Sequence, residues 1–286
     1  MKRTFKISFI TPETDWSLNL VPELIKLRHE VLVNDCSEDC DVMFAIERTL
    51  SEFTMKLHRK YPKVPLIMNN WDWYEYTDKT KGTYPTFIQL LKESKEVWSG
   101  DIDTAKTTEK AIGIKSSFPL YIFIMPWEWE GDNKDYGYII FGSRIDKNKR
   151  FDWFKQAAEE LEIPFKAYHP ETNSRADYIR TLKNCSFYVS ASKEGGVSIP
   201  EAEASYCKKP ILSPDNPGRK EMWGNNSTYF KRDDYEDFKA KMKWLWENYK
   251  SKEIQDKVEK CYKIVNERFL PQVMAKRVSD RLKKAL

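Results

Sequence analysis

The order of hydrophobic and polar residues predicts strands that alternate with helices along the chain. In the first half, short apolar runs predict strands, and apolar residues spaced three and four apart predict helices. The strands are expected at Phe5–Thr11, Val31–Val33, Asp41–Ile46, Val64–Met68 and Glu96–Ser99. The helices are expected at Leu18–Leu27, Glu47–Tyr61, Thr86–Lys95 and Thr104–Gly113. This alternation is typical of a parallel sheet with helices on both faces, so the predicted fold class is α/β.

A polar segment, Trp127–Asp135, interrupts the alternation and has the turn formers of a linker. After it the pattern restarts. Strands are predicted at Tyr138–Phe141, Phe165–Tyr168, Phe187–Ser190 and Pro210–Leu212, and helices at Arg150–Leu161, Arg175–Leu182, Pro200–Cys207 and Tyr235–Tyr249. The helical tail is expected to break at Pro271, because proline cannot continue a helix. The chain is therefore predicted to contain two Rossmann-like domains in tandem.

Composition excludes several classes of protein. The net charge of +4 over 286 residues gives no strong electrostatic footprint for nucleic acid. Five scattered cysteines without a CxxC pair indicate neither a zinc ribbon nor a disulfide framework, and reduced thiols predict a cytoplasmic protein. The longest apolar stretch, Phe118–Trp127, is shorter than the ~20 residues of a membrane span. The N-terminus lacks the features of a signal peptide.

The stretch Ser190–Pro210 has the layout of a phosphate site, in which a strand, a glycine loop and a helix follow one another. Gly195 and Gly196 let the backbone approach a ligand closely. Glu194 precedes them, and Glu201 lies in the first turn of the predicted helix. A carboxylate can accept two hydrogen bonds from a vicinal diol such as a ribose. The alternative is that Glu201 only stabilises the start of the helix.

A second loop, Gly142–Arg150, follows a predicted strand at the same expected edge of the sheet. Open α/β sheets bind ligands at this edge. Arg144 and Lys149 place fixed positive charge near a helix N-terminus, where an anion would be favoured. The alternative is a solvated basic loop. These two cations make the loop a candidate phosphate site.

These segments resemble the donor domain of GT-B glycosyltransferases, specifically the retaining family 4 type. The matching segments are the Gly-x-Arg-x4-Lys loop, the Glu-Gly loop with its Glu-Ala helix, and the strand after Lys209 with its turn and Glu221. The resemblance covers about residues 138–230. It implies catalytic roles for Arg144 and Lys149 at the donor diphosphate and for Glu194 at the transferred sugar. It further implies donor binding by Gly142, Gly195, Gly196, Val197 and Glu201, with no metal and no cofactor beyond the donor.

The spacing of the acidic residues departs from that family. Six residues separate Glu194 from Glu201 and eight separate it from Glu203, whereas the family usually has seven. Either glutamate could meet the ribose, and the Glu-Ala-x-Ala pattern favours Glu201. Arg150 stands where the family usually has glycine.

The first half resembles the family in architecture only. It lacks the glycine-rich loop after the first strand and the histidine after the fourth, and the resemblance gives His29 a structural role. The polar and aromatic candidates for the acceptor side are Asn70, Trp71, Asp72 and Asp101. Asp101 also begins an Asp-x-Asp triplet, which in the GT-A class binds a divalent metal; no other feature of that class accompanies it.

The resulting hypothesis is a hexosyltransferase that moves a sugar from a nucleotide diphosphate sugar, such as UDP-glucose, to an acceptor hydroxyl on a glycan, a lipid or another compound. Its domains are predicted at 1–132 for the acceptor, 133–268 for the donor and 269–286 for a helix returning to the first domain, with both sheets facing a central cleft. Two alternatives are a non-catalytic nucleotide-sugar or glycan-binding protein and a nucleic-acid-modifying glycosyltransferase. The basic tail Lys276–Lys284 could also contact a membrane surface.

Overall fold

In the computed structural model, the chain folds as two units. The first comprises Met1–Tyr121 and Pro271–Leu286, and the second comprises Ile122–Leu270. The last helix is therefore part of the first unit. The residues that the structure describes are 4–11, 25–26, 28–46, 50–70, 84–119, 124, 126–143, 145, 147–169, 173–193 and 196–286.

The first unit contains a six-stranded parallel sheet in the order β2-β1-β3-β4-β5-β6. Its strands are β1 (Lys6–Ile10), β2 (Glu30–Val33), β3 (Val42–Ala45), β4 (Leu66–Asn70), β5 (Glu96–Ser99) and β6 (Ser116–Pro119). Successive side chains of a strand point to opposite faces. On one face Met43, Leu66 and Met68 join an apolar cluster, and on the other the Phe44 ring lies 5.0 Å from that of Trp98.

Helices α1 (Ser51–Lys60), α2 (Tyr84–Glu93), α3 (Ile102–Ile112) and α10 (Pro271–Ala285) belong to this unit. α1 and α2 contribute Met55, Leu90 and Leu91 to the apolar cluster. α3 begins at Asp101, whose side chain accepts a hydrogen bond from the Thr104 N–H, and ends at Gly113 in the left-handed conformation (φ 73°). These are the usual caps of a helix.

His29 joins the last helix to the sheet. Its Nδ1 accepts a hydrogen bond from the Phe5 N–H at 3.2 Å, which leaves the proton on Nε2 to be donated to Ser279 Oγ at 2.6 Å. Burial and the nearby cations Arg28 and Lys283 lower the pKa of His29, so the neutral ring is favoured. The ring therefore has the structural role that the resemblance implied.

The second unit contains a five-stranded parallel sheet in the order β11-β10-β9-β7-β8. Its strands are β7 (Ile139–Gly142), β8 (Phe165–Tyr168), β9 (Phe187–Val189), β10 (Ile211–Pro214) and β11 (Thr228–Phe230). Phe141 pairs with Ala167 of β8 on one side and with Val189 of β9 on the other. Since all strands run in one direction, their carboxyl ends meet at a single edge.

The helices of this unit are α4 (Phe151–Glu160), α5 (Arg175–Lys183), α6 (Ile199–Tyr206), α7 (Pro217–Trp223), α8 (Tyr235–Asn248) and α9 (Lys252–Arg268). α4 and α8 cover one face of the sheet with Phe154, Phe238 and Met242, which are fully buried. The α/β class and the two parallel sheets confirm the predicted fold class.

Several elements differ from the prediction. Strand β6 was not predicted, because Ser116 and Ser117 break its apolar run. Pro126–Trp129 forms a 3-10 turn at the start of the predicted linker. Helix α7 was expected to be a turn, although Asn216 caps it and Pro217 opens it. Most of the predicted helix Leu18–Leu27 lies outside the described residues.

Candidate functional site

The two loops that the sequence singled out meet at the carboxyl edge of the second sheet. The Lys193 N–H, just after β9, donates a hydrogen bond to the Asn148 carbonyl in the loop after β7, at 2.7 Å. Lys149 follows Asn148 directly and is half-buried. The structure therefore brings the predicted phosphate loop beside the chain that leads to Gly196. Arg144, Glu194 and Gly195 lie outside the described residues.

Gly142 ends β7 where two tyrosine rings close over the backbone. A Cβ at this position would lie 2.6 Å from the Tyr178 ring and 3.1 Å from the Tyr188 ring. The Tyr188 hydroxyl donates to the Gly142 carbonyl at 3.3 Å. Such short distances exclude a side chain, so the packing alone requires glycine here. The role of Gly142 in donor binding stays a prediction.

The Gly196 backbone lies against the start of α7. A Cβ on Gly218 would be 2.6 Å from Gly196 Cα, and the buried Arg219 donates from Nη1 to the Gly196 carbonyl. Val197, which follows, is half-buried. The position of the Gly196 loop thus depends on Arg219, a residue that the sequence analysis did not single out.

Glu201 is fully buried, and both of its carboxylate oxygens have partners. Oε1 lies 2.8 Å from Arg219 Nε and accepts a hydrogen bond from Ser213 Oγ at 3.2 Å. Oε2 accepts one from Trp223 Nε1 at 2.8 Å. Glu201 therefore faces α7 and β10, and it holds the arginine that contacts the Gly196 carbonyl.

Glu203, two residues further along α6, has a different set of contacts. Its side chain is 2% exposed, and its Oε1 accepts a hydrogen bond from Arg175 Nη2 at 2.5 Å. The buried Tyr178 hydroxyl hydrogen-bonds to the Glu203 carboxylate and helps to lower its pKa. Arg175 and Tyr178 therefore enclose this carboxylate together.

Arg175 connects Glu203 to a second acid. Its Nη2 also donates to Glu128 Oε2 at 2.7 Å, and its guanidinium lies 5.0 Å from the centre of the Trp129 ring. Burial raises the pKa of Glu203, and the charge of Arg175 opposes that rise. Burial lowers the pKa of Arg175, but the two acids outweigh burial and raise that pKa overall.

In the first unit, two of the predicted acceptor-side residues are described. Asn70, at the end of β4, is buried and donates from Nδ2 to Thr108 Oγ1 at 2.8 Å; its Oδ1 has no partner among the described residues. The Asp101 carboxylate is buried and accepts the Thr104 N–H at 2.7 Å. Trp71 and Asp72 lie outside the described residues. Over the described ranges, no group of three or more His, Cys, Asp or Glu side chains could hold a metal ion.

The sequence contains one signal that separates the two glutamates. Residues two apart on a helix do not face each other. The spacing of Glu201 and Glu203 therefore requires them to point to different sides of α6, so only one of them can reach a given ligand. The roles of Arg175, Arg219 and Glu128 had no comparable signal, since their contacts join segments far apart in the sequence.

Residues 128–262 match the family described as Glycosyl transferases group 1. The matching region, called the group 1 domain below, lies within the second unit. The match spans the strands, loops and acidic residues described above, from Glu128 to helix α9. No curated protein matches the chain by sequence.

Solved structures share the fold of the whole chain at low sequence identity. HepE from Anabaena, in complex with UDP, has 12% identity and a TM-score of 0.73, covering 98% of this chain and 100% of its own. Sucrose-phosphate synthase from Thermosynechococcus elongatus has 9% identity and a TM-score of 0.74, covering 99% of each chain. TarM from S. aureus has 15% identity and a TM-score of 0.65, covering 86% of this chain and 56% of its own.

The group 1 match indicates a glycosyltransferase, which confirms the predicted enzyme class, and the solved structures show that the chain has a GT-B fold. Nothing in them supports a nucleic-acid acceptor. Within the described part of the chain, no helix combines the length and the apolar character needed to cross a membrane.

Proposed function

We propose that the group 1 domain binds a UDP-sugar, with UDP-glucose as the first candidate, and that the enzyme transfers its hexose to an acceptor hydroxyl. HepE, which shares the fold, has been crystallised with UDP, with UDP and glucose, and with UDP-glucose. The resemblance to the retaining family 4 type supports transfer with retention and without a metal. The proposed location is the cytoplasm.

The observation that carries the proposal is that the loops after β7 and β9 meet at the carboxyl edge of the second sheet, where the Lys193 N–H donates to the Asn148 carbonyl at 2.7 Å. The Gly142 backbone packs against the Tyr178 ring, the Tyr178 ring lies 5.3 Å from the Arg175 guanidinium, and Arg175 binds Glu203. These contacts link the end of β7 to α6. Three side chains hold Glu201, whereas Glu203 has Arg175 and the Tyr178 hydroxyl, so we favour Glu203 for the ribose hydroxyls.

The remaining roles follow the resemblance. Arg144 and Lys149 would offset the charge that grows on the leaving diphosphate, which is electrostatic stabilisation of the transition state. Glu194, Gly195, Gly196 and Val197 would contact the transferred sugar. In the first unit, the Asn70 Oδ1 supports an acceptor role better than Asp101 does, because the Asp101 carboxylate already caps α3. The acceptor would be a glycan, a lipid or another hydroxyl compound.

The test is proton NMR of the purified protein with UDP-glucose, ADP-glucose and GDP-glucose in separate samples, each with and without a panel of acceptors. Transfer or slow hydrolysis of UDP-glucose is expected, and the coupling constant of the new anomeric proton reports retention. Lys149→Ala should lower the rate at least tenfold, while Lys147→Ala, on the exposed part of the same loop, should not. UDP binding without any turnover would instead show a non-catalytic binding protein.

A further inference from the structure

We propose that Arg219 is a positioning residue for the glycine loop: by holding the Gly196 carbonyl, it turns the Val197 N–H in the opposite direction, where this N–H donates to the transferred sugar. The inference rests on the proposed function, because it takes a UDP-sugar as the ligand. It adds a residue to which the resemblance gave no role, and it gives the buried pair of Arg219 and Glu201 a function beyond folding.

The peptide between Gly196 and Val197 determines where its two polar groups point. The described peptide bonds are all trans, so the carbonyl and the N–H of this planar unit point in opposite directions. Arg219 Nη1 donates to the Gly196 carbonyl from α7. The Val197 N–H therefore points away from α7, and it has no hydrogen-bond partner in the described part of the chain. Since residues 196–198 are each half-buried, this N–H belongs to a part of the loop that is not enclosed.

The guanidinium of Arg219 is itself fixed by a second contact. Its Nε lies 2.8 Å from Glu201 Oε1, and the two side chains are 3% and 0% exposed. Trp223 Nε1 holds the other oxygen of Glu201 at 2.8 Å. Because the guanidinium is planar and rigid, fixing Nε also fixes the direction of Nη1. The carboxylate thus sets the arginine, and the arginine sets the Gly196 carbonyl.

Burial of this ion pair indicates a role other than stability. Apolar residues of similar volume often replace a buried ion pair without loss of stability, since two charges must be taken out of water. An apolar pair at Glu201 and Arg219 would serve the fold, but it would leave the Gly196 carbonyl without its donor. The contact that only the arginine supplies is the one to the glycine loop.

Gly218 places the same loop by direct contact. A Cβ on Gly218 would lie 2.6 Å from Gly196 Cα and 3.0 Å from its carbonyl carbon. Gly218 lies in the first turn of α7, where alanine would otherwise be favoured over glycine. The close approach of Gly196 therefore requires glycine here. Two adjacent residues of α7 thus place one peptide of the loop.

A role in folding and a role in positioning predict different results when both charges are removed. If Arg219 only supports the fold, the double variant Glu201→Leu/Arg219→Met should retain both the folded state and the activity. If Arg219 positions the loop, the double variant should fold and still bind UDP, yet process UDP-glucose slowly. The discriminating quantities are the dissociation constant of UDP and the rate at saturating UDP-glucose.

The experiment measures UDP binding by calorimetry and consumption of UDP-glucose by proton NMR in the wild type, the double variant and Gly218→Ala. The rate of the double variant should fall at least about tenfold, as expected when a preorganised hydrogen-bond donor is misplaced. Its affinity for UDP should stay within about threefold, because UDP lacks the transferred sugar. Gly218→Ala displaces Gly196 without removing a charge and should give the same pattern.

Lys220→Gln is the matched control, because Lys220 is the next residue of α7, is exposed and pairs with Asp215. Both of its quantities should stay within about threefold of the wild type. A wild-type rate in the folded double variant, or an equal loss of rate and UDP affinity, would overturn the inference. If the double variant does not fold, a wild-type rate in Gly218→Ala overturns it instead. A wild type that does not consume UDP-glucose would overturn the proposed function itself, whatever the variants do.

Discussion

Two glutamates on helix α6, two residues apart, have opposite surroundings. Glu201 has a partner for each oxygen: Arg219 and Ser213 at one, Trp223 at the other. Glu203 has Arg175 at one oxygen and a hydrogen bond from the Tyr178 hydroxyl. Both are buried, so burial does not distinguish them. Their partners do, because three side chains hold Glu201 and one of them is a buried arginine. This difference is the basis for proposing Glu203 as the acid that meets the ligand.

The largest effect on the free energy of unfolding is expected from a substitution of Glu201. Glu201→Gln leaves the Arg219 charge buried without its partner, and breaking a buried ion pair in this way costs about 3–5 kcal/mol. Urea unfolding of the full chain, followed by tryptophan fluorescence, measures the loss. Glu203→Gln should change the free energy of unfolding by about 1 kcal/mol or less, because Arg175 retains Glu128.

A double variant tests whether the loss comes from the unpaired charge. Glu201→Leu combined with Arg219→Met removes both charges, and apolar replacements of a buried pair are often neutral. The double variant should therefore be at least about 2 kcal/mol more stable than Glu201→Gln. If Glu201→Gln unfolds at the wild-type urea concentration, Glu201 is not the scaffold acid.

The pH dependence of the free energy of unfolding tests the surroundings of Glu203. Burial raises its pKa in the folded chain, with Arg175 and Tyr178 opposing the rise and Glu128 adding to it. The folded state thus holds a proton that the unfolded chain has already lost, so the contribution to stability is present below the ordinary glutamate pKa of about 4.3 and is lost as pH rises through the folded value.

The measurement is urea unfolding of the wild type and Glu203→Gln between pH 4 and pH 8. The wild type should lose stability relative to the variant as pH rises through the folded pKa of Glu203. If the wild type instead gains stability relative to the variant as pH rises, Arg175 lowers the pKa of Glu203 by more than burial raises it.

The smallest effect is expected at an exposed pair on α5. Arg180 is 74% exposed and lies 2.5 Å from Asp177. Because solvent screens such pairs, Arg180→Gln should change the free energy of unfolding by less than about 0.5 kcal/mol and leave nucleotide binding unchanged. If Arg180→Gln lowers the free energy of unfolding as much as Glu201→Gln does, removing any arginine destabilises the chain. The result for Glu201→Gln would then not be specific to its buried ion pair.

The sequence predicts the strands and helices of the fold because hydrophobic periodicity and helix caps depend on neighbouring residues. The apolar runs of β7 and β9, the cap at Ser198 and the break at Pro271 can all be read from neighbouring residues. The strand, glycine loop and helix predicted in Ser190–Pro210, together with the glutamates in this stretch, indicated the candidate site.

The partners of those glutamates could not be predicted. Arg175 precedes Glu203 by 28 positions, and Arg219 follows Glu201 by 18, so each pair depends on how helices pack on the sheet. The sequence favoured Glu201 for the ribose from a Glu-Ala-x-Ala match. The number of hydrogen-bond partners, which favours Glu203 in the proposed function, exists only in three dimensions.

The central claim is that Glu203 is the acid that meets the donor, and one titration tests it most directly. UDP is titrated into the wild type, Glu203→Gln and Arg180→Gln by calorimetry, with folding of each variant verified by circular dichroism. Glu203→Gln should bind UDP at least about tenfold more weakly, since a hydrogen bond to a charged acceptor is lost, while Arg180→Gln binds as the wild type does. Wild-type affinity for UDP in Glu203→Gln would contradict the claim.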